Sequence, residues 1–434
     1  MRSVQKSRLT RNIAALMGTQ LAAYAFPLAT VPYLARVLGP YHWGVVAFAQ
    51  ALALYLSMVV DFGFQLSASR RIARIRDEDE QVAQVVAGVL GAKTALSAVC
   101  VVGILVWQRF SHAFQQDALI LWGGALSGVA QGFSMLWYYQ GLEMVRTSAT
   151  SEVAGKAVAC LGIFLFVHRP EDAWLVLFLQ CICFASVSAF QLAMTYRRVR
   201  FRWPTRTVVW QSTSDSAAMF LFRSSVSLYT TANALLLGAV ATPIAVGFYS
   251  GAERLIKALS GMLTPVSQSL YPRISRLVLS DRGQAIRLTR FSLGLMTLCG
   301  ALLAIGGAVA APLIVRVLLG RGYENAVPVL RVLSLLLPAV AASTVLGIQW
   351  MLPLGMEGAY NVIVISAGLV NVALALCWAS GWQQMGMAWA VVVTEYLVTI
   401  AICVVLASRN MNPLSKTTLI LPGLQRRFAN AVPR

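Results

Sequence analysis

Charged residues are scarce in this sequence: Asp, Glu, Lys and Arg make up 12% of its 434 residues, about half the share of ~25% found in soluble domains. A chain of this length could fold as two or three soluble domains, but none could cover its surface with so few charges. That excludes a water-soluble enzyme. Acids are scarcer than bases, 16 against 35, and the net charge is +19. The bases are spread in short clusters between apolar runs instead of being gathered on one polar face, which argues against nucleic acid as a partner. Only three histidines are present, His42, His112 and His168, all in or beside expected outer loops, and no His/Cys/Asp cluster has metal-ligand spacing. The seven cysteines sit in apolar runs, none in a Cys-x-x-Cys pair, and read as small packing residues. No nucleophile–base constellation and no nucleotide-binding loop is visible. No cofactor and no metal are therefore expected, and nothing in the sequence points to direct coupling to ATP.

Apolar sequence is what the chain has in quantity, 58% of residues. A helix needs about 20 apolar residues to cross the hydrocarbon core, and the sequence supports twelve such runs: 12–35, 44–66, 84–107, 118–140, 151–167, 173–196, 214–238, 244–267, 291–311, 327–350, 359–380 and 385–407. The first follows a basic start like a signal peptide but is too long for one, so it reads as an uncleaved first helix. Residues 312–326 read as a loop or an interfacial helix. With the N-terminus inside, 24 of the 35 Lys and Arg fall in cytoplasmic segments and 4 in outer ones. This bias predicts both termini in the cytoplasm. All outer loops are short, which leaves no room for an external catalytic domain. The tail, 411–434, could lie on the inner leaflet through Leu419, Ile420, Leu421, Leu424 and Phe428 beside Arg426 and Arg427, although Pro422 interrupts it.

The chain also reads as a duplication. Gly44, Ala49, Gln50 and Leu52 match Gly247, Ala252, Glu253 and Leu255, each stretch following a Leu-Gly pair. Arg71, Ile72 and Arg74 match Arg273, Ile274 and Arg276, at nearly the same offset. Six spans per copy makes the copies parallel. The expected fold is thus all-α and integral to the membrane: twelve helices in two parallel six-helix lobes around a central cavity. Residues 1–200 form the N-lobe (helices 1–6) and 201–410 the C-lobe (helices 7–12), joined by a basic linker near 197–206. Two lobes rocking about a cavity is an alternating-access architecture. Pro27 and Pro32 in span 1, Pro265 late in span 8, Pro272 just after it and Pro338 in span 10 are candidate kinks.

Charges within the spans identify candidate site residues. The bases are Arg36, Lys93, Lys156, Arg223, Arg254, Lys257 and Arg331; the acids are Asp61, Glu152, Asp215, Glu253 and Glu395. A central Arg or Lys costs about 2.5–3.5 kcal/mol to insert. If all the intramembrane bases faced lipid, the cost would be on the order of 20 kcal/mol, above a typical net stability of about 5–15 kcal/mol. Most must therefore face water, pair, or snorkel. Glu152 with Lys156, and Glu253 with Lys257, have the spacing of internal helix pairs. Arg36 lies near a helix end and can snorkel, Arg331 can reach the interface, and Asp61 and Asp215 lie near span ends. Lys93, Arg223 and Glu395 lie mid-span without a helical counter-charge. Arg223 shares a stripe with Ser216, Ser227 and Thr230, which reads as a cavity lining. The candidate substrate-binding residues are Arg223, Lys93, Arg254, Lys257, Arg331 and Lys156, and the candidate coupling or counter-ion acids are Glu395, Asp61, Glu253 and Glu152. The excess of bases suits an anionic substrate, phosphate or carboxylate. For Arg223 a structural salt bridge to Glu395 is the competing account.

The stretch 27–40 (Pro-Leu-Ala-Thr-Val-Pro-Tyr-Leu-Ala-Arg-Val-Leu-Gly-Pro) leads the resemblance, followed by 44–52, by 60–64 (Val-Asp-Phe-Gly-Phe) and by 67–73 (Ser-Ala-Ser-Arg-Arg-Ile-Ala). Together they resemble the polysaccharide (O-antigen-type) flippase family of the multidrug/oligosaccharidyl-lipid/polysaccharide exporter superfamily. Residues 235–238, 246–250 and 271–275 look like that family's second half. The resemblance implies translocation of an undecaprenyl-pyrophosphate-linked oligosaccharide from the inner to the outer leaflet of a bacterial inner membrane, by two six-helix lobes around a cationic cavity. It implies lipid-linked oligosaccharide and membrane lipids as partners, with polysaccharide polymerase and chain-length proteins as candidate protein partners. The superfamily's multidrug exporters often carry a buried acid in the first helix; residues 12–35 have none. Its lipid II flippases typically have fourteen spans, against twelve expected here. The rival readings are a drug/cation antiporter of the same fold and a membrane enzyme of polysaccharide assembly, for which the expected external loop is missing.

Overall fold

The computed structural model describes the backbone of residues 2–110 and 116–415. His112 and the tail from Lys416 onward, with the membrane-surface reading of 419–428, lie outside the described residues. Among the described residues all regular structure is helical. The elements are α1 (Arg2–Asp61), α2 (Phe64–Ile75), α3 (Asp79–Phe110), α4 (Ala118–Gly132), α5 (Leu136–Gly141), α6 (Val145–Phe166) and α7 (Ala173–Tyr196). There follow α8 (Arg206–Thr230), α9 (Asn233–Val240), α10 (Pro243–Gly261), α11 (Thr264–Ser280), α12 (Arg282–Val309) and α13 (Ala311–Leu318). The chain ends in α14 (Ala326–Ser334), α15 (Leu336–Ser343), a π-helical stretch Thr344–Met351 and α16 (Glu357–Ser408).

Eight helical stretches among the described residues are long and apolar enough to cross a membrane. Two of them, Ala29–Ile75 and Glu357–Ser408, run for 47 and 52 residues, more than twice what one crossing needs. Each carries a backbone break, Gly39 at φ 70° in α1 and Gln383 at φ 46° in α16. A single residue therefore does what residues 36–43 were expected to do as a loop. Spans expected at 214–238 and 244–267 are interrupted instead: α8 gives way to α9 around Thr231, and α10 to α11 around Met262. The polar content of α8 and the three charges of α10, Glu253, Arg254 and Lys257, keep both out of the apolar set. Pro27 and Pro32 leave α1 unbroken. Pro338 lacks the N–H that would bond to the Ser334 carbonyl, and the helix is broken between α14 and α15 at that turn. Residues 312–326 are part helix, α13, and part loop.

Packing follows the pattern expected where lipid is the outer solvent. On α12, Phe291, Leu298, Leu302, Ile305 and Val309 are all at least 60% exposed and share one stripe, while the small or hydroxyl residues Ser292, Gly300, Ala304 and Gly307 are buried. A stripe of that kind needs hydrocarbon against it. One apolar cluster lies within residues 62–209 and another within 270–411. A third joins the two halves of the chain, with Leu38, Trp43 and Phe48 against Leu237, Val246 and Tyr249.

The junction in that third cluster is reciprocal. A methyl group on Gly44 would lie 1.8 Å from the Pro243 carbonyl oxygen, and one on Gly247 would lie 2.2 Å from the Pro40 carbonyl oxygen. The two glycines paired by the sequence repeat thus meet each other, each against the proline that opens the other's helix segment. Only glycine permits so close an approach of two backbones.

Candidate functional site

Between the halves lie two adjoining cavities that share part of their walls. One, of about 660 Å³, is lined by Asp61, Gln65, Glu152, Lys156 and Arg223 among others. The second, of about 520 Å³, is lined by Gln50, Gln180, Glu253, Arg254 and Lys257, and again by Lys156. Leu54, Gln131, Gly155 and Thr231 also border both. Seven of the ten charged candidate site residues from the sequence therefore line these two adjoining cavities, contributed by α1, α6, α8 and α10.

Asp61 is the last residue of α1, at the break formed by Phe62 and Gly63. Its Oδ2 accepts a hydrogen bond from Arg223 Nη1 at 2.8 Å, and its Oδ1 lies 3.6 Å from Lys93 Nζ. The same Arg223 nitrogen donates to Gln65 Oε1 at 3.2 Å. Lys93 does not line the cavity. It is wholly buried and donates to the carbonyls of Gly132 and Ser134 at 2.6 and 3.1 Å, where α4 breaks before α5. The counter-ion of Arg223 is thus Asp61, from the other half of the chain, and not Glu395. Glu395 lies within the second half, where its Oε1 accepts from Ser343 Oγ at 2.6 Å. Arg331 is away from the cavity, exposed, with Nε donating to the Ala308 carbonyl.

The two helix-spaced pairs behave differently. Lys257 Nζ lies 3.1 Å from Glu253 Oε1. Glu152 instead accepts from Ser134 Oγ and Ser148 Oγ, and Lys156 has no hydrogen bond or ion pair among the described residues. Arg254 donates to Gln50 Oε1 at 2.5 Å and stacks over the Trp43 ring at 4.6 Å, so its charge is held by an amide and a π face. Arg36 donates to the Val317 carbonyl, away from the cavity. Asp215 pairs with Arg71 at 3.5 Å.

Sequence reasoning that followed charges passed over the uncharged polar groups. Glu253 Oε1 also receives Asn233 Nδ2 and Tyr249 OH, both at 3.4 Å, and Asn371 and Thr394 continue the chain of hydrogen bonds inward from Asn233. Carboxamides deep in apolar spans, Gln50, Asn233 and Asn371, were the available signal, since such groups need partners in the membrane.

Residues 9–278 match the family described as polysaccharide biosynthesis protein. The chain belongs to that family. Two curated relatives agree: a candidate O-antigen transporter of Escherichia coli (strain K12), 30% identical over 92% of this chain and 96% of its own length, and one of Shigella dysenteriae, 26% identical over 90% and 98%. Among solved structures, the fold is similar to the lipid II flippase MurJ in an inward closed conformation, with a TM-score of 0.71 at 10% identity, covering 91% of this chain and 87% of that one. It is also similar to an inward-facing multidrug transporter of the MATE family, with a TM-score of 0.69 at 13% identity, over 92% and 98%. At such identities the likeness speaks for the fold: a multi-pass helical membrane protein of the family's kind.

Proposed function

We propose that this protein is a flippase, moving an undecaprenyl-pyrophosphate-linked oligosaccharide, an O-antigen or related repeat unit, from the inner to the outer leaflet of the bacterial inner membrane. It works by alternating access, not by catalysis. This reading includes twelve spans in two six-helix lobes; what supports it is eight apolar helical stretches among the described residues, two of them of more than double length, with α1 broken at Gly39, α16 broken at Gln383, and the interrupted segments 206–240 and 243–280 beside them. The reciprocal Gly44 and Gly247 contact fits two parallel copies. The observation that carries the functional reading is Lys156. Its ammonium borders both parts of the cavity and makes no hydrogen bond or ion-pair contact among the described residues; Glu152, one turn away on α6, acts on it only through its field. An unpaired cation within a membrane is costly unless water or an anion meets it, and a pyrophosphate-linked lipid supplies one. Arg223, Arg254 and Lys257 extend the cationic lining, and Glu253, with its buried amide chain, is the acid best built to respond to a coupling cation.

The test is surface-polysaccharide output in a deletion strain of the native host, complemented with variants matched for membrane abundance. Lys156→Ala is expected to lose most output and Lys156→Arg to retain part. Full output with Lys156→Ala would remove the observation on which the assignment rests. Altered drug susceptibility with unchanged polysaccharide would favour the antiporter.

A further inference from the structure

The two cations that hold Asp61 differ in kind. Lys93 is enclosed and its ammonium is tied to the Gly132 and Ser134 carbonyls, bonds that persist whatever Arg223 does. Arg223 borders the cavity, its side chain is 37% exposed, and its bonds to Asp61 and Gln65 both leave from one nitrogen. The Asp61–Arg223 pair also sits in a seam between the halves. Phe62 stacks on Phe220 with ring centroids 4.3 Å apart, Tyr55 donates to the Ser227 carbonyl, and Ser67 and Ser216 share a hydrogen bond of 2.5 Å. Farther along, Arg71 pairs with Asp215. Within this seam Asp61–Arg223 is the ion pair whose both members line the cavity.

A carboxylate and a phosphate offer a guanidinium the same acceptor geometry. If Arg223 is withdrawn from Asp61, the carboxylate still faces the Lys93 ammonium, so neither charge is left uncompensated, which is the condition that makes breaking a buried pair costly. We propose that Asp61 is an exchangeable internal occupant of an anion site on Arg223. A phosphate-bearing substrate takes the place of Asp61 on the guanidinium, Lys93 retains the released carboxylate, and the seam between α8 and the end of α1 loses its cavity-side tie. Lys93 is thus a positioning residue, acting through Asp61. The proposal rests on the reading of the cavity as the path of a pyrophosphate-linked lipid.

An internal occupant lowers the apparent affinity of its competitor by the fraction of sites left free. The measurement is binding of inorganic pyrophosphate to the purified full-length protein in phosphatidylcholine nanodiscs, where no anionic headgroup competes. Asp61→Asn is expected to bind about tenfold more tightly than the unmodified protein, as for a site free about one-tenth of the time. Arg223→Ala is expected to abolish that gain. Glu152→Gln is the control for charge alone, because it removes a cavity acid that does not touch Arg223, and it is expected to change affinity much less. Should Asp61→Asn fold poorly, Asp61→Ser, which leaves Lys93 on the Gly132 and Ser134 carbonyls, carries the same expectation. Equal gains from Asp61→Asn and Glu152→Gln would reduce the effect to net charge and overturn the exchange. Unchanged or weaker binding in Asp61→Asn, with binding still lost in Arg223→Ala, would overturn it while leaving the flippase reading intact. No pyrophosphate binding by any form would remove both.

Discussion

Lys93 and Arg331 were both candidate substrate-binding bases in the sequence, Lys93 mid-span and Arg331 within reach of the interface, and their surroundings separate them further. Lys93 supplies donors to two carbonyls that a broken helix leaves without partners. Lys93→Met keeps the volume and removes both donors, at about 1–3 kcal/mol for each buried group left unsatisfied. Reduced membrane abundance and a lower melting temperature in detergent are expected. Arg331 is exposed and meets one carbonyl, so Arg331→Ala is expected to stay within about 0.5 kcal/mol and to keep full abundance in the same assay. Helical spacing correctly marked Lys93 and Arg223 as lacking a counter-charge on their own helices. It could not supply Asp61, because that contact crosses 162 positions from Arg223 and depends on tertiary packing alone. The pairing of Glu253 with Lys257 was legible because both lie on one helix face; Glu152 turned instead to hydroxyls from α6 and the α4 break, which no local rule contains.

Hydropathy located the elements well and their breaks poorly. Apolar runs mark where a helix can lie in lipid, but whether two runs are joined by a loop or by one distorted residue is decided by a few dihedral angles, as at Gly39 and Gln383. The interrupted segments around Thr231 and Met262 escaped because interruption serves polar contacts at the cavity that a hydropathy window averages away. Gly44 permits a direct test at this scale. Any side chain there meets the Pro243 carbonyl, already at 1.8 Å for a methyl group, so Gly44→Leu is expected to push α1 and α10 apart on the outer side. In a background with the native cysteines replaced, Thr242→Cys should then react severalfold faster with a membrane-impermeant maleimide. Unchanged labelling would mean that the junction does not govern access from outside.

Across the whole molecule, the basic bias predicts both termini in the cytoplasm. A reporter active only in the periplasm, fused after Arg409, is expected to be silent; strong activity would refute an even number of crossings. The family was legible before any coordinates, because its motifs are most specific over residues 12–76, where the helix break, the reciprocal glycine and Asp61 all fall. The joining of the cavity's walls was not, since it brings together residues from both ends of the chain. The contact between Gly44 and Gly247 has one more consequence. Residue i of one copy meets residue j of the other, and j meets i, which is the form of an isologous interface between identical subunits. If the sequence repeat is a duplication, an ancestral half carrying proline and glycine at these places would have met a second copy of itself through the same surface. Gene fusion would then have converted a symmetric dimer into one polypeptide, free to let only one side acquire a cation such as Arg223.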